Sequence, residues 1–207
     1  MASVGECNSM SRAVFLDRDG VLNPLVYNVR TGEYESPHRG EDFSVYPYVV
    51  RSLRALADAG FRLFLISNQP SYAKGKTSMA NLQAIHGLLD RYLLENNIVF
   101  AEYYYCYHHP NGVVPEFTGV CQCRKPQPFF ILQAAEKYKL NLAKCWMIGD
   151  QDTDVQCGQN AGVRTIQLGN PHSAAKRGQA KPDYQATDLA AAVSWLLGVY
   201  PQNMERM

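Results

Sequence analysis

The feature that most constrains this chain is Arg12-Ala13-Val14-Phe15-Leu16-Asp17-Arg18-Asp19-Gly20, in which four apolar residues run directly into two carboxylates spaced two apart. Far downstream, Met147-Ile148-Gly149-Asp150-Gln151-Asp152-Thr153-Asp154 repeats the pattern of an apolar run ending in acids. Short apolar runs of this kind read as buried strands of a parallel sheet, whose ligand sites lie outside the carboxyl ends of the strands. Two such strands bring their acids together at one sheet edge, where a hard cation such as Mg²⁺ finds oxygen ligands. This is the outline of a phosphoryl-transfer site.

The rest of the chain supplies the alternation that such a sheet needs. Residues 13–16 read as the first strand. Residues 48–59 carry Val49, Val50, Leu53, Leu56 and Ala57 at helical spacing, with Gly60 placed for a C-terminal cap, and residues 61–66 form the second strand. Ser78 caps a helix bearing Leu82, Ile85, Leu89 and Leu93, and residues 102–106 are a third strand. Pro128 suits the first turn of a helix that runs through Tyr138. A fourth strand is expected over residues 145–148, a helix over 155–161, a fifth strand over 164–168 and a terminal helix over 189–197. Residues 176–188 read as a surface connection. Residues 24–42 and 108–119 resist assignment; long loops flanked by motif residues are candidates for shaping a binding site.

Composition narrows the classes of function. At 207 residues the chain suits one domain, with a core over about residues 12–200. Hydrophobic residues make up 46% and charged residues 19%, and the formal net charge of +1 gives no nucleic-acid-binding surface. No stretch reaches the roughly 20 apolar residues of a membrane span, and residues 1–11 lack the apolar core of a signal peptide. A cytoplasmic monomer acting on a small molecule is the expectation.

Each acidic motif has a chemical use. If the chain turns at Gly20, Asp17 can attack phosphorus while Asp19 donates a proton to the leaving oxygen and then activates water. Ser67 and Asn68, at the end of the second strand, can donate hydrogen bonds to phosphate oxygens. Lys125 supplies the positive charge that a transferring phosphoryl group requires. Asp150 completes the Mg²⁺ ligands with Asp17 and Asp19, and Asp154 supports the metal or holds Lys125.

Six cysteines without a secretory signal point to metal or catalysis rather than disulfides. Cys106-Tyr107-His108 is followed, after twelve residues, by Cys121-Gln122-Cys123. Three thiolates and one imidazole make a closed tetrahedral set for structural Zn²⁺, with His109 as the alternative imidazole. Cys7, Cys145 and Cys157 stay outside it, the last two as small buried apolar residues. Zinc would fix the loop 106–123 and so place Arg124 and Lys125.

With these residues in hand, the chain resembles the haloacid dehalogenase (HAD) superfamily of phosphohydrolases, whose four motifs match Asp17/Asp19, Ser67, Lys125 and Asp150/Asp154 in order over residues 13–168. The resemblance implies a Rossmann-like parallel sheet flanked by helices. The cysteine loop is similar to that of one branch, which lacks a large cap domain and includes heptose bisphosphate phosphatases and histidinol-phosphate phosphatases. The match is closer to the heptose enzymes, through Phe15-Leu16-Asp17-Arg18-Asp19-Gly20-Val21-Leu22-Asn23, Tyr105-Cys106-Tyr107-His108-His109-Pro110 and Cys121-Gln122-Cys123-Arg124-Lys125-Pro126. It implies Mg²⁺-dependent hydrolysis of a sugar bisphosphate through an aspartyl-phosphate on Asp17. It further implies that Arg124 recognises substrate, that Asn23, Asn68 and Gln69 border it, and that the loop after Asn23 shapes the pocket.

Two departures stand out: Pro70-Ser71-Tyr72-Ala73-Lys74-Gly75-Lys76 replaces a small glycine-containing turn, and Gln151 stands where a basic residue is common. Three other readings remain: a histidinol-phosphate phosphatase, a non-catalytic phosphate-ligand-binding protein on this fold, and a receiver domain phosphorylated on Asp17. The intact acids and Lys125 argue against the second, and the cysteine loop with the Asp-x-Asp spacing against the third.

Overall fold

The computed structural model describes residues 11–198; Cys7 and most of the polar start lie outside it. Six parallel strands form one sheet in the order β5-β4-β1-β6-β7-β8. They are β1 (Ala13–Leu16), β4 (Arg62–Asn68), β5 (Glu102–Cys106), β6 (Trp146–Gly149), β7 (Arg164–Leu168) and β8 (Tyr184–Ala186). β1 sits centrally, pairing with β4 on one side and β6 on the other, so the ends that carry Asp17, Ser67 and Asp150 are adjacent.

Strand alternation divides the core into two layers. Val14, Leu16, Leu63, Leu65, Trp146 and Ile148 face the helices α1 (Val49–Asp58) and α5 (Leu189–Leu196). Ala13, Phe15, Phe64, Ile66 and Met147 pack beneath α3 (Phe129–Tyr138) and α4 (Asp152–Ala161). Both faces are covered, which is why these strands read as continuous apolar runs. The long helix α2 (Met79–Glu95) starts where Ser78 Oγ accepts the Asn81 N–H at 3.1 Å, and it buries Leu82, Ile85, Leu89 and Leu93 in one stripe. Among the described residues no helix is long and apolar enough to cross a membrane.

The structure corrects the expected outline at several points, one being the start of α4, which lies at Asp152 rather than at Val155. Residues 176–188 are not only a surface connection: they contain β8, a three-residue edge strand too short to show a period, tied in where Asp183 Oδ2 accepts from Thr165 N at 2.7 Å and Thr165 Oγ1 at 2.8 Å. The unassigned stretch 24–42 holds a small antiparallel hairpin, β2 (Val26–Asn28) with β3 (Glu33–Glu35). β4 extends past Ile66, because Ser67 and Asn68 pair in register with Tyr105 and Cys106 of β5.

Candidate active site

The strand ends converge on a buried carboxylate cluster. Carboxylate oxygens of Asp17, Asp150 and Asp154 lie within 4.8 Å of one another, and all three residues are buried. Gly20 turns the chain after Asp19 with φ +85, and a Cβ there would sit 2.1 Å from Asp150 Oδ2, so the close approach requires glycine. Asp154 is set by the start of α4: its Oδ2 accepts the Gln151 N–H at 3.0 Å while the Gln151 side chain caps in return. Gln151 therefore has a local role as helix cap.

Lys125 reaches into the cluster with its Nζ 2.9 Å from Asp17 Oδ1 and 2.6 Å from Asp154 Oδ1, and it donates to the Ile66 carbonyl at 2.8 Å. Burial alone would depress this ammonium; Asp154 and Asp17 outweigh it and hold the pKa above the ordinary value. Three carboxylates facing one ammonium leave two negative charges uncompensated. The strain shows in the acids: burial pushes Asp150 up to about 8, reinforced by Asp154 and Asp17, and pushes Asp17 up to about 6 against the pull of Lys125. Both Asp150 oxygens are buried and accept no hydrogen bond. Buried orphan oxygens beside uncompensated charge suit a divalent cation.

Asp19 stands outside this cluster, engaged by its own donors. Its Oδ1 accepts from Asn23 Nδ2 at 2.9 Å and from Arg18 Nη2 at 3.0 Å, and its Oδ2 from Gln69 Nε2 at 2.6 Å. Burial resists ionisation, but the Arg18 charge and these hydrogen bonds prevail, leaving the carboxyl below its usual value. Asn23, Asn68 and Gln69 were expected to border substrate; their amides are engaged within the protein, Asn68 with the backbone of Lys125 and the other two with Asp19. A buried amide left unpaired is costly, and the nearest partners are other site residues. Gln69 also donates to Ser67 Oγ at 2.9 Å, which leaves the Ser67 proton free to point elsewhere.

Cys106, His108, Cys121 and Cys123 meet as a second cluster. The sulfurs are 3.3 to 3.5 Å apart, and His108 Nδ1 lies 3.9 Å from Cys106 Sγ and 3.7 Å from Cys123 Sγ. Four ligands about 2.3 Å from one Zn²⁺ would be separated by somewhat under about 4 Å, so the set can hold a metal ion. His109 is not a member; its Nδ1 accepts the Asn111 N–H. Cys145 and Cys157 are buried apart from it, as expected. Arg124, directly after the last ligand, donates to the His108 carbonyl at 3.1 Å, so the loop and the cation are joined.

Around the mouth, Lys74 is exposed, and after partial burial it is the charges of Lys76, Arg124 and Lys176 that lower its pKa. Lys76 also pairs with Glu35 of the hairpin at 2.5 Å, and Tyr34 stacks on His172 at 3.6 Å, so the hairpin is anchored through β3. A polar cleft of about 430 Å³ lies between this hairpin and the start of α2, lined by Asn28, Arg30, His38, Lys76 and Asn81 among others.

The sequence reading passed over three residues. Arg18 looks like a solvated charge but is fully buried. Asn170 donates to the Gly20 carbonyl at 3.3 Å, and Ser173 Oγ donates to the Asp150 carbonyl at 3.1 Å. Their signal was position, since the stretch after β7 leaves the same sheet edge as the motifs.

A family model described as HAD-hydrolase-like matches residues 122–192. A D-glycero-alpha-D-manno-heptose-1,7-bisphosphate 7-phosphatase of Photorhabdus laumondii is 32% identical over 165 residues, 78% of this chain and 86% of the relative. A D-glycero-beta-D-manno-heptose-1,7-bisphosphate 7-phosphatase of Escherichia coli K12 is 33% identical over 77% of this chain and 81% of its own. Among solved structures, the D,D-heptose 1,7-bisphosphate phosphatase of B. bronchiseptica, complexed with magnesium and phosphate, superposes with a TM-score of 0.73 at 27% identity, covering 91% of this chain and 99% of that one.

Proposed function

From the premise that this chain is a phosphatase of the HAD superfamily, belonging to the family of the heptose-1,7-bisphosphate 7-phosphatases, we propose that it removes one phosphate from a heptose bisphosphate, the 7-phosphate of D-glycero-D-manno-heptose 1,7-bisphosphate, with Mg²⁺ as cofactor. The observation that carries the reading is the buried set of Asp17, Asp150, Asp154 and Lys125 at the strand ends; Arg124 adjoins Lys125 in the chain, and Lys74 lies near enough to both Arg124 and Lys176 to form one positive group. A substrate with two phosphates suits such a mouth: one is placed at Asp17 while the other meets the bordering charges.

In this reading an Asp17 carboxylate oxygen attacks phosphorus, forming an aspartyl-phosphate as the ester P–O bond breaks. Asp19 must enter the cycle protonated, against the Arg18 charge and the hydrogen bonds that favour its ionised form in the free protein; it gives that proton to the leaving sugar oxygen, then takes one from the water that attacks the phosphoenzyme, so that sugar alcohol and phosphate depart and Asp17 is restored. Lys125 and the free Ser67 proton lie where charge gathers on the phosphoryl oxygens. Mg²⁺ held by Asp17 and Asp150, with Asp154 in support, would neutralise phosphate charge and keep Asp17 ionised. Asp19, expected as the third ligand, would offer that metal its main-chain carbonyl, since its carboxylate is engaged elsewhere.

Zinc at Cys106, His108, Cys121 and Cys123 would fix the loop that carries Arg124 and Lys125. Reduced thiolates suit the cytoplasm expected from the sequence.

The mechanism is tested by mass spectrometry of the enzyme quenched in acid during turnover. One added phosphoryl group on the peptide containing Asp17, absent from Asp17→Asn, is expected. An unmodified Asp17 peptide in an enzyme trapped while the phosphoenzyme should accumulate contradicts it.

A further inference from the structure

We propose that Arg18 is a positioning residue which, through Gln69, joins Asp19 and Ser67 into one frame, so that a single buried guanidinium sets both the proton-transfer group and a phosphate donor. The inference rests on the proton-transfer role proposed above for Asp19.

Arg18 is 0% exposed and heads the largest fully buried side chains of the described residues. Its Nη2 lies 3.0 and 3.1 Å from the two Asp19 oxygens and 2.9 Å from Gln69 Oε1, and its Nε lies 3.2 Å from Asp19 Oδ1. The guanidinium can only donate, so it fixes which end of the Gln69 amide faces it. The oxygen turns toward Arg18, and both amide hydrogens are aimed at Asp19 Oδ2, 2.6 Å away, and Ser67 Oγ, 2.9 Å away. A flipped amide would set donor against donor.

The backbone of Arg18 completes the frame. Its carbonyl accepts the N–H groups of Leu22 at 2.8 Å and Asn23 at 3.2 Å, closing the turn that delivers Asn23 Nδ2 onto Asp19 Oδ1. Asp19 is the one ion-pair partner of Arg18 among the described residues. His86, stacked on Tyr105 at 3.6 Å, is held neutral by burial and by the nearby Arg18 charge. A fully buried ion pair adds little net stability, because desolvation offsets attraction. What it supplies is geometry, and a lysine lacks the planar fork needed to serve Asp19 and Gln69 at once.

A side chain that acts through the proton-transfer group matters in proportion to the need for a proton on the leaving oxygen. The test compares kcat/KM for an alkyl sugar phosphate, whose poor leaving group needs protonation, with p-nitrophenyl phosphate, whose leaving group does not. The proteins are the wild type, Arg18→Met, Arg18→Lys and Gln69→Met, each Mg²⁺-loaded. The frame predicts a fall of about 100-fold on the alkyl ester and under roughly fivefold on the nitrophenyl ester for both Arg18 variants, with Gln69→Met showing the same selectivity at about tenfold. On the nitrophenyl ester kcat and KM should fall together, because dephosphorylation, which also uses Asp19, becomes limiting. If the Arg18 variants do not fold, Gln69→Met decides. Equal losses on both esters, or no loss on either, overturn the positioning role and leave the phosphatase reading standing. A wild type silent on both esters overturns that reading and, with it, this inference.

Discussion

Asn68 holds Lys125 by both edges of its backbone: Asn68 Nδ2 donates to the Lys125 carbonyl at 3.1 Å, and Asn68 Oδ1 accepts the Lys125 N–H at 3.1 Å. The side chain at the end of β4 thus fixes the segment from which Lys125 Nζ reaches Asp17 and Asp154. Asn68→Ala should lose about 2 kcal/mol of stability from the two hydrogen bonds. It should also lower kcat roughly 10- to 100-fold with little change in KM, since misplacement of a catalytic group acts on the transition state. Steady-state kinetics and thermal melting check both. A rise in KM alone would return Asn68 to direct contact with substrate.

Asp17→Asn keeps the shape of the side chain and removes the nucleophile. Turnover should fall by at least about 10³-fold, with the fold retained. The variant should melt no lower than the wild type in metal-free buffer, because Asp154 still pairs with Lys125 at 2.6 Å and one carboxylate fewer crowds the cluster. Retained activity would remove the covalent mechanism.

Stability should depend on pH and on metal together. Burial raises Asp150 to about 8 and Asp17 to about 6, so the folded state binds more protons than the unfolded chain, whose carboxyls titrate near about 4. Wherever the folded state holds the extra protons, stability falls as pH rises, here through the window from about 4 to about 8. His38, His86 and His109, whose pKa values burial lowers, act in the opposite sense only below about 6.5, so above that pH they do not mask the carboxylate effect. Mg²⁺ binds the ionised acids, so its stabilisation should grow from pH 5 to pH 8. Melting in EDTA and in Mg²⁺ at several pH values measures this, and a Mg²⁺ shift independent of pH would contradict the cluster as its site.

Cys121→Ser should lower zinc content and melting temperature together, since structural zinc contributes folding free energy. Activity should fall with it, because Arg124 and Lys125 follow Cys123 directly and Arg124 is bonded to the His108 carbonyl. Elemental analysis beside calorimetry tests the link. A zinc-free wild type whose variant melts normally would withdraw the site.

Much of the architecture was legible because its signals are local. The runs at β1 and β6 are apolar on both faces of the sheet, and the stripe Leu82, Ile85, Leu89 and Leu93 has a helical period. β8 and the hairpin β2–β3 were not legible, as three-residue strands carry too little pattern. In the site, residue types announced Asp17, Lys125, Asp150 and the cysteine cluster, which the fold brings together. The wiring was hidden: nothing in the spelling says that Arg18 is buried or that Asn23, Asn68 and Gln69 turn inward. Those choices follow from burial, which obliges each polar group to find a partner, and burial is settled by the whole fold.

The central claim is tested most directly by measuring phosphate release, with Mg²⁺, from both anomers of D-glycero-D-manno-heptose 1,7-bisphosphate, from histidinol phosphate and from common sugar monophosphates. A kcat/KM for one heptose anomer at least about tenfold above every monophosphate is predicted, since a second phosphate at the cationic mouth should be worth more than about 1.4 kcal/mol. Turnover of histidinol phosphate alone, or no preference for the bisphosphates, would contradict it.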